Sequence, residues 1–389
     1  MNQSKTKPAN RLLALDIMRG ITIAGMILVN NPGSWGNIYA PLRHAPWDGL
    51  TPTDLVFPFF MFIMGISSYF SLRKYDFRFS GACVWKILRR TIVIWLIGLT
   101  IAWFGLFLGG ILGEKTFVEA VFCFDRIRIL GVLPRLAICY GIGSVIAIAL
   151  KPKALPWAVA LLLVAYSIIL FLGNGFAFSE ENVISVVDRA VLGSDHMYTD
   201  SGLKFDPEGL LSTIPSIAHV LIGFICGALI TRTCDNMARS NSLFIIGTIL
   251  TFAGLLLSYG IPVNKKIWSP TFVLTTCGLA ASLLALLIWI IDIKGRKKWC
   301  RFFESFGINP LFMYCVAAVL SIVIGRVKIA WAGTESGMIT IKGYLYKAIL
   351  MPLCGDDATL ASLIFAILFV LLNWCIGYIL YKKKIYIKI

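Results

Sequence analysis

Charge is what this sequence has least of. Asp, Glu, Lys and Arg make up only 14% of its 389 residues, against 58% hydrophobic residues. A soluble chain needs about 25% charged residues to cover its surface, so the composition excludes one. Histidine is rarer still, with three in the whole chain. The ten cysteines show neither the CxxC spacing of a metal site nor a disulfide framework, although Cys123 and Cys354 could pair. No small-residue cleavage site follows the first apolar run, although Lys5, Lys7 and Arg11 before it imitate a signal peptide. Asp16 and Arg19 interrupt that run, so it is expected to stay as a helix. The alternating ten-residue segments of an outer-membrane barrel are missing too.

What is present is a series of continuous apolar runs: 12–31, 54–72, 87–112, 131–150, 155–172, 212–231, 243–260, 269–291, 307–325 and 360–381. Each approaches the roughly 20 helical residues that cross a hydrocarbon core about 30 Å thick. The expected fold is an all-α polytopic membrane protein, a bundle of about ten transmembrane helices forming one domain over residues 1–389. With the N-terminus placed in the cytoplasm, 22 of the 36 basic residues fall on the inner side and 13 on the outer, with Arg19 inside the first helix. Acidic residues sort the other way, 15 outside and four inside, so the inside carries +18 and the outside −2. That asymmetry is the positive-inside bias, and it makes both termini cytoplasmic. The net charge of +16 is therefore largely topology and argues for the lipid bilayer, not nucleic acid, as partner.

Two outer loops, 32–53 and 173–211, are longer than connectors need to be, and they hold two of the three histidines. His44 precedes Asp48 by four residues with Trp47 between. On a helical turn that spacing sets a carboxylate beside the imidazole and fixes its tautomer. The plainer reading is a loop histidine at the membrane surface. His196, in GSDHMY, is a candidate substrate contact. Asp16 and Arg19 can pair on one face of the first helix, or Arg19 can face a polar cavity and hold an anionic ligand. Asn30 and Asn31 end that helix, where an amide can donate to a carbonyl. Thr53 and Asp54 start the second helix as cap and dipole partner. Arg126, Arg128 and Arg135 gather at the outer start of the fourth span, more cations than interface snorkelling needs. Asp206 and Glu208 suit sugar hydroxyls or an ammonium group, or else form a solvated DPEG turn.

The stretch RHAPWDGLTPTDLVFPFFMFIMG resembles the signature of the heparan-alpha-glucosaminide N-acetyltransferase family. LDIMRG, RIRILGVLPRLAICY, VDRAVLGSDHMY, FDPEGLLSTIPSI, IPVNKKIWSPTF and the basic tail YILYKKKIYIKI match in the same order, so the resemblance covers about residues 12 to 389. It implies acetyl transfer from cytosolic acetyl-CoA to the amine of a glucosamine-type sugar across the membrane. By correspondence the active-site histidine is His44 and the asparagine ending the preceding helix is Asn30. Asp48 stands where the family motif has asparagine, and the segment between Asn30 and His44 is longer here. Without the family's large lumenal N-terminal region and leading helix, the expected location is a bacterial inner membrane.

The chemistry implied is general-base catalysis, since an amine must lose a proton as it attacks a thioester and imidazole side chains titrate near neutrality. Asn30 would donate to the developing oxyanion. Trp47, Asp48, His196, Arg128, Arg135, Asp206 and Glu208 would line the acceptor side. Asp16, Arg19, Arg89 and Arg90, with Arg73, Lys86 and Lys294 nearby, would serve the phosphates of acetyl-CoA. No metal is expected, and a homodimer stays open. The pantetheine arm is expected to thread the bundle, with His44 acting as base in a ternary complex rather than carrying the acetyl group. Two other classes remain at this point: a membrane O-acetyltransferase of cell-surface glycans and a secondary transporter, the latter requiring broken helix pairs in corresponding halves.

Overall fold

A computed structural model of the chain describes residues 12–113, 115–233, 235–335 and 337–387. Lys5, Lys7, Arg11, Glu114 and Lys388, all used in the charge sorting, lie outside them. Nine helical segments among the described residues are long and apolar enough to cross a membrane. They contain α1 (Leu13–Asn30), α2 (Val56–Leu72), α3 (Gly81–Ile111), α4 (Val132–Ala149), α5 (Leu155–Leu172), α7 (Thr213–Arg232), α8 (Asn236–Leu257), α9 (Pro270–Leu287) and α12 (Ala358–Lys382). A short α6 (Val183–Leu192) lies between α5 and α7. A tenth candidate is the pair α10 (Cys300–Gly307) and α11 (Pro310–Arg326), which together are long and apolar enough and are bent by 85° at their junction.

Every apolar run expected from the sequence is thus a helix, with two starts misplaced. α3 begins at Gly81, six residues before the expected start, because Ser80 caps it by accepting from the Cys83 amide at 3.2 Å. Lys86, just outside the expected run, therefore sits on helix with Arg89 and Arg90. α8 likewise starts at Asn236, capped by Asp235 through the Ala238 amide at 3.0 Å. Polar cap residues before a first turn read as loop by hydropathy, yet the helix needs their side-chain oxygens to satisfy its free N–H groups.

Helices without a hydrophobic drive to associate must pack by close fit. α2 and α7 cross at Gly65 and Gly223, where an added Cβ would lie 2.1 Å from the Val220 carbonyl oxygen and 2.2 Å from that of Phe62. The main apolar core draws on α2, α4, α7 and α9, and a second one joins α1, α11 and α12. The outward face of α5 shows Trp157, Leu161 and Phe171, as a lipid-facing surface should.

The long loops meet at one end of the bundle, where Trp47 packs on Phe178 and Phe205. Segment 173–211 is folded: the Asn182 side chain donates to the Gly175 and Ala177 carbonyls and accepts from the Ile184 amide, starting α6. A hairpin then pairs β1 (Thr199–Asp200) with β2 (Leu203–Lys204) through Ser201 and Gly202, both at positive φ, as a tight two-residue turn demands. Tyr166, Leu170, Ile184, Phe205 and Ile267 form a satellite core beneath it, with Trp47 packed on its edge. A third excursion at this end was not anticipated: β3 (Lys328–Ala330) pairs with β4 (Met338–Thr340), and helical turns follow to Leu353. Cys123 and Cys354 are free thiols.

Candidate active site

The second span opens with a capping box. Thr51 is the cap, not Thr53: Pro52 takes the first helical position, and Asp54 returns its carboxylate to the Thr51 amide at 3.2 Å and hydroxyl at 2.9 Å. The Ala45 amide adds a third bond to the same Oδ2, at 3.1 Å. These bonds leave Oδ1 facing His44, whose Nδ1 lies 2.6 Å away. The expected His44–Asp48 pair does not form, because residues 43–51 make no helical turn and the capping carboxylate reaches the ring first. An ionised Asp54 only accepts, so Nδ1 carries the proton and the Nε2 lone pair is free. The Asp54 side chain is 1% exposed while that of His44 is 40% exposed, so a buried carboxylate orients an accessible imidazole.

Lys265 completes the cluster, its Nζ 3.3 Å from Asp54 Oδ1 and 3.1 Å from His44 Nδ1. With Nδ1 protonated, only the carboxylate can accept from it. Burial lowers the Lys265 pKa and the Asp54 charge opposes that fall. The lysine is delivered by the turn before α9. There Asn264 accepts from the Ile267 amide through Oδ1 and donates to Asp48 Oδ1 at 3.1 Å, while the Gly49 amide bonds the Val263 carbonyl at 2.7 Å. Asp48 is therefore a clamp between two loops. Trp47 donates to the Phe176 carbonyl at 2.8 Å and packs on Phe178 and Phe205.

Arg128 anchors the opposite wall. Its guanidinium bonds Asp206 at two points, 2.9 and 2.5 Å, also bonds Glu208, and lies over the Tyr198 ring at 5.0 Å. Burial alone would lower its pKa, but the two carboxylates outweigh that and raise it; Glu208, which burial would raise, is held below its ordinary value by Arg128 and Arg135. Lys266 pairs with Asp200 at 2.5 Å and sits 5.1 Å from the Phe178 ring. Together His44, Asp54, Arg128, Tyr198, Asp200, Glu208, Lys265 and Lys266 wall a cavity of about 330 Å³.

Not every expected residue reaches it. Asp206 is fully buried behind Arg128, and Arg135, also fully buried, bonds the Pro207 carbonyl and Ser212 hydroxyl at 2.6 Å each. Both position the 206–212 segment. His196 bonds the Ile127 carbonyl through Nδ1 at 2.8 Å and is not a wall residue. Asn30 ends α1 exposed and is not a wall residue either. Asp54, Lys265 and Lys266 are functional candidates that sequence reasoning passed over or gave to capping. The segment IPVNKKIWSPTF had been singled out, but nothing in it says which loop it meets.

A second cavity, of about 500 Å³, opens toward the other end of the bundle between α1, α2, α3, α4 and α11. Arg19, Lys86 and Arg90 give it positive charge, and Ser67, Ser71 and Ile387 line it as well. Arg19 pairs with Asp16 at 2.9 Å and donates to Ser67 Oγ at 2.9 Å; Arg90 lies over the Tyr140 ring at 4.6 Å. Arg89 is exposed outside it. A small void shares Phe60, Leu133, Leu136 and Leu311 with this cavity and extends to Phe57 and Val132. Phe57 is three residues from Asp54 and Val132 four from Arg128, so the void points along the bundle toward the His44 site.

Fold and site together define a polytopic helical membrane protein with a buried-carboxylate-oriented histidine at one end and a cationic cavity entering from the other. No family model matches the chain. It is 28% identical over 365 residues to the human protein named heparan-alpha-glucosaminide N-acetyltransferase, an alignment covering 78% of this chain and 52% of that one. To the mouse protein of the same name it is 26% identical over 442 residues, covering 100% of this chain and 62% of the relative. The chain is a distant relative of these N-acetyltransferases and spans about half to three-fifths of their length.

Proposed function

We propose that the protein is a transmembrane N-acetyltransferase that moves acetyl from acetyl-CoA to the amine of a glucosamine-type sugar. The observation that carries this reading is the His44–Asp54 contact at 2.6 Å, which frees Nε2 as a base at the wall of a cavity rich in carboxylates and cations. The two relatives, named for N-acetyl transfer to glucosaminide, supply the substrate class.

In this reading the phosphates of the donor rest against Arg19, Lys86 and Arg90, and the uncharged pantetheine arm passes Phe60 and Leu133, where the void of about 10 Å³ must widen to admit it. Keeping the phosphates in the wide, cationic part avoids the cost of burying their charge. The acceptor ammonium is drawn by Glu208 and Asp200 and releases one proton to water, leaving the neutral amine, while a sugar face can lie on Tyr198. The amine gives a proton to His44 Nε2 as its lone pair attacks the thioester carbon. The tetrahedral intermediate then expels the thiolate, which takes the proton back from His44. The oxyanion forms in the positive potential of Lys265 and Arg128, a role Asn30 is poorly placed to fill. The amine nearest His44 among the described residues, Lys265, is held as a cation by Asp54 at 3.3 Å, which favours direct transfer in a ternary complex over an acetyl-lysine relay.

A secondary transporter needs paired broken helices, and one bent pair, α10–α11, is found among the described residues. Pro310 and Leu311 at its break line the larger cavity, so the bend serves to open that cavity. In the orientation favoured by the charge sorting, His44 faces away from the cytoplasm and the larger cavity faces toward it, in an inner-membrane setting. The test is purified protein with acetyl-CoA and a panel of free hexosamines, read by mass spectrometry. An N-acetyl product from glucosamine is expected; an acetyl ester would move the protein to O-acetyl transfer, and no acetylated product would reject the reading.

A further inference from the structure

A third cavity, of about 400 Å³, lies at the bundle end opposite His44 between α2, α4, α5, α7 and α8, and shares no wall residue with the 500 Å³ cavity. Its interior is hydrocarbon and aromatic, with Tyr69, Phe77, Phe224, Ala228 and Ile246 among its walls. Its only charged wall residues are Lys151, just beyond the end of α4, and Arg232, the last residue of α7. Both are exposed, and neither makes an ion pair or hydrogen bond with its side chain among the described residues.

Most cations of functional interest in this protein are matched: Arg128 with Asp206 and Glu208, Lys265 with Asp54, Lys266 with Asp200. Lys151 and Arg232, like Lys86 and Arg90 of the 500 Å³ cavity, have no counter-charge among the described residues, and they stand where an apolar slot meets the membrane interface. We propose that this cavity is a binding site for one anionic phospholipid, with an acyl chain among Phe224, Ala228 and Ile246 and the phosphate between Lys151 and Arg232. The two parts of the slot match the two parts of such a lipid. A helix-lined volume of a few hundred Å³ suits a chain segment, and a basic rim near the interface selects an anionic headgroup. A zwitterionic lipid would gain the chain contacts but lose most of the charge attraction. Because α2 carries both Tyr69 of this slot and the Asp54 end of the histidine site, the lipid would also brace the helix that holds the site.

The test uses the full chain in mixed micelles carrying phosphatidylglycerol or phosphatidylcholine, with bound lipid counted by native mass spectrometry. One phosphatidylglycerol per chain should be retained in preference to phosphatidylcholine. K151Q/R232Q should weaken that retention about 25-fold, roughly fivefold per cation. A228W fills the apolar part without touching either cation and should abolish retention, while its lipid-free elution and melting profile stay those of the wild type. Equal retention of the two lipids, or retention unchanged in both variants, would overturn the proposal. Displacement of the bound lipid by free CoA would also overturn it, assigning the two cations to the acyl donor instead.

Discussion

Replacing Asp54 by asparagine tests the site at its most informative atom. The side chain keeps its size, and its carbonyl can still accept from the Ala45 and Thr51 amides, 3.1 and 3.2 Å from the present Oδ2. The amide group then faces His44 across the present 2.6 Å contact and donates to Nδ1. That forces the opposite tautomer, with the proton on Nε2 and no lone pair toward the cavity. Loss of a positioned general base costs about 10²–10⁴ in rate, or about 3–5 kcal/mol in the barrier. The same change leaves Lys265 without the carboxylate it now meets at 3.3 Å. Stranding a buried cation costs about 3–5 kcal/mol in stability. D54N/K265M should recover folded yield, and K265M alone measures the turnover lost with the Lys265 charge, so that the tautomer effect is the further loss in the double variant. The assay is single-turnover acetyl transfer to glucosamine, with acetyl-CoA affinity measured alongside. Affinity should stay within about twofold, because the donor phosphates bind at the other end of the bundle. If D54N keeps more than a tenth of the wild-type rate, Asp54 does not set the tautomer and His44 is not the base.

Other perturbations have defined outcomes. Burial pushes the Asp188 carboxyl up to about 6 from an ordinary value of 3.8, although the Leu210 and Leu211 amides donate to its Oδ1. The folded state thus binds the proton more tightly, so this group's contribution falls as pH rises from about 4 through 6, by about 3 kcal/mol in all. D188N removes the penalty, and its melting temperature should exceed the wild type's at pH 7.5 but match it near pH 4; no gain at pH 7.5 contradicts the assignment. R90Q/K86Q should raise KM for acetyl-CoA about tenfold or more with kcat nearly unchanged, and an unaltered KM would move the donor elsewhere. G223V places a branched side chain where even a Cβ would lie 2.2 Å from the Phe62 carbonyl, so monodisperse protein should be lost on gel filtration; normal elution would mean that α2 and α7 do not cross as closely as described.

The bundle was legible because a continuous apolar run long enough to span a membrane has one economical solution, a helix with its backbone satisfied internally. Helix starts were not, since Ser80 and Asp235 extend α3 and α8 past the point where hydropathy stops. His44 stood out as a rare residue in a distinctive motif. Its partner did not, because an i, i+4 argument presupposes a helical turn, and the residues between His44 and Asp54 form a loop. Lys265 lies 221 residues from His44 and is joined to it through Asn264 and Asp48, a contact no local pattern encodes. Asp206 and Arg135 were expected to line the acceptor side but sit behind the cavity wall, since charge in a sequence does not tell a wall from its support.

The central claim is that acetyl passes from a donor at one end of the bundle to an amine at the other. The direct measurement places the protein in sealed liposomes with labelled acetyl-CoA outside and glucosamine inside only. N-acetylglucosamine accumulating in the lumen, with CoA released outside and no donor leaking in, is the predicted result. Product that forms only when donor and amine share a compartment would contradict it.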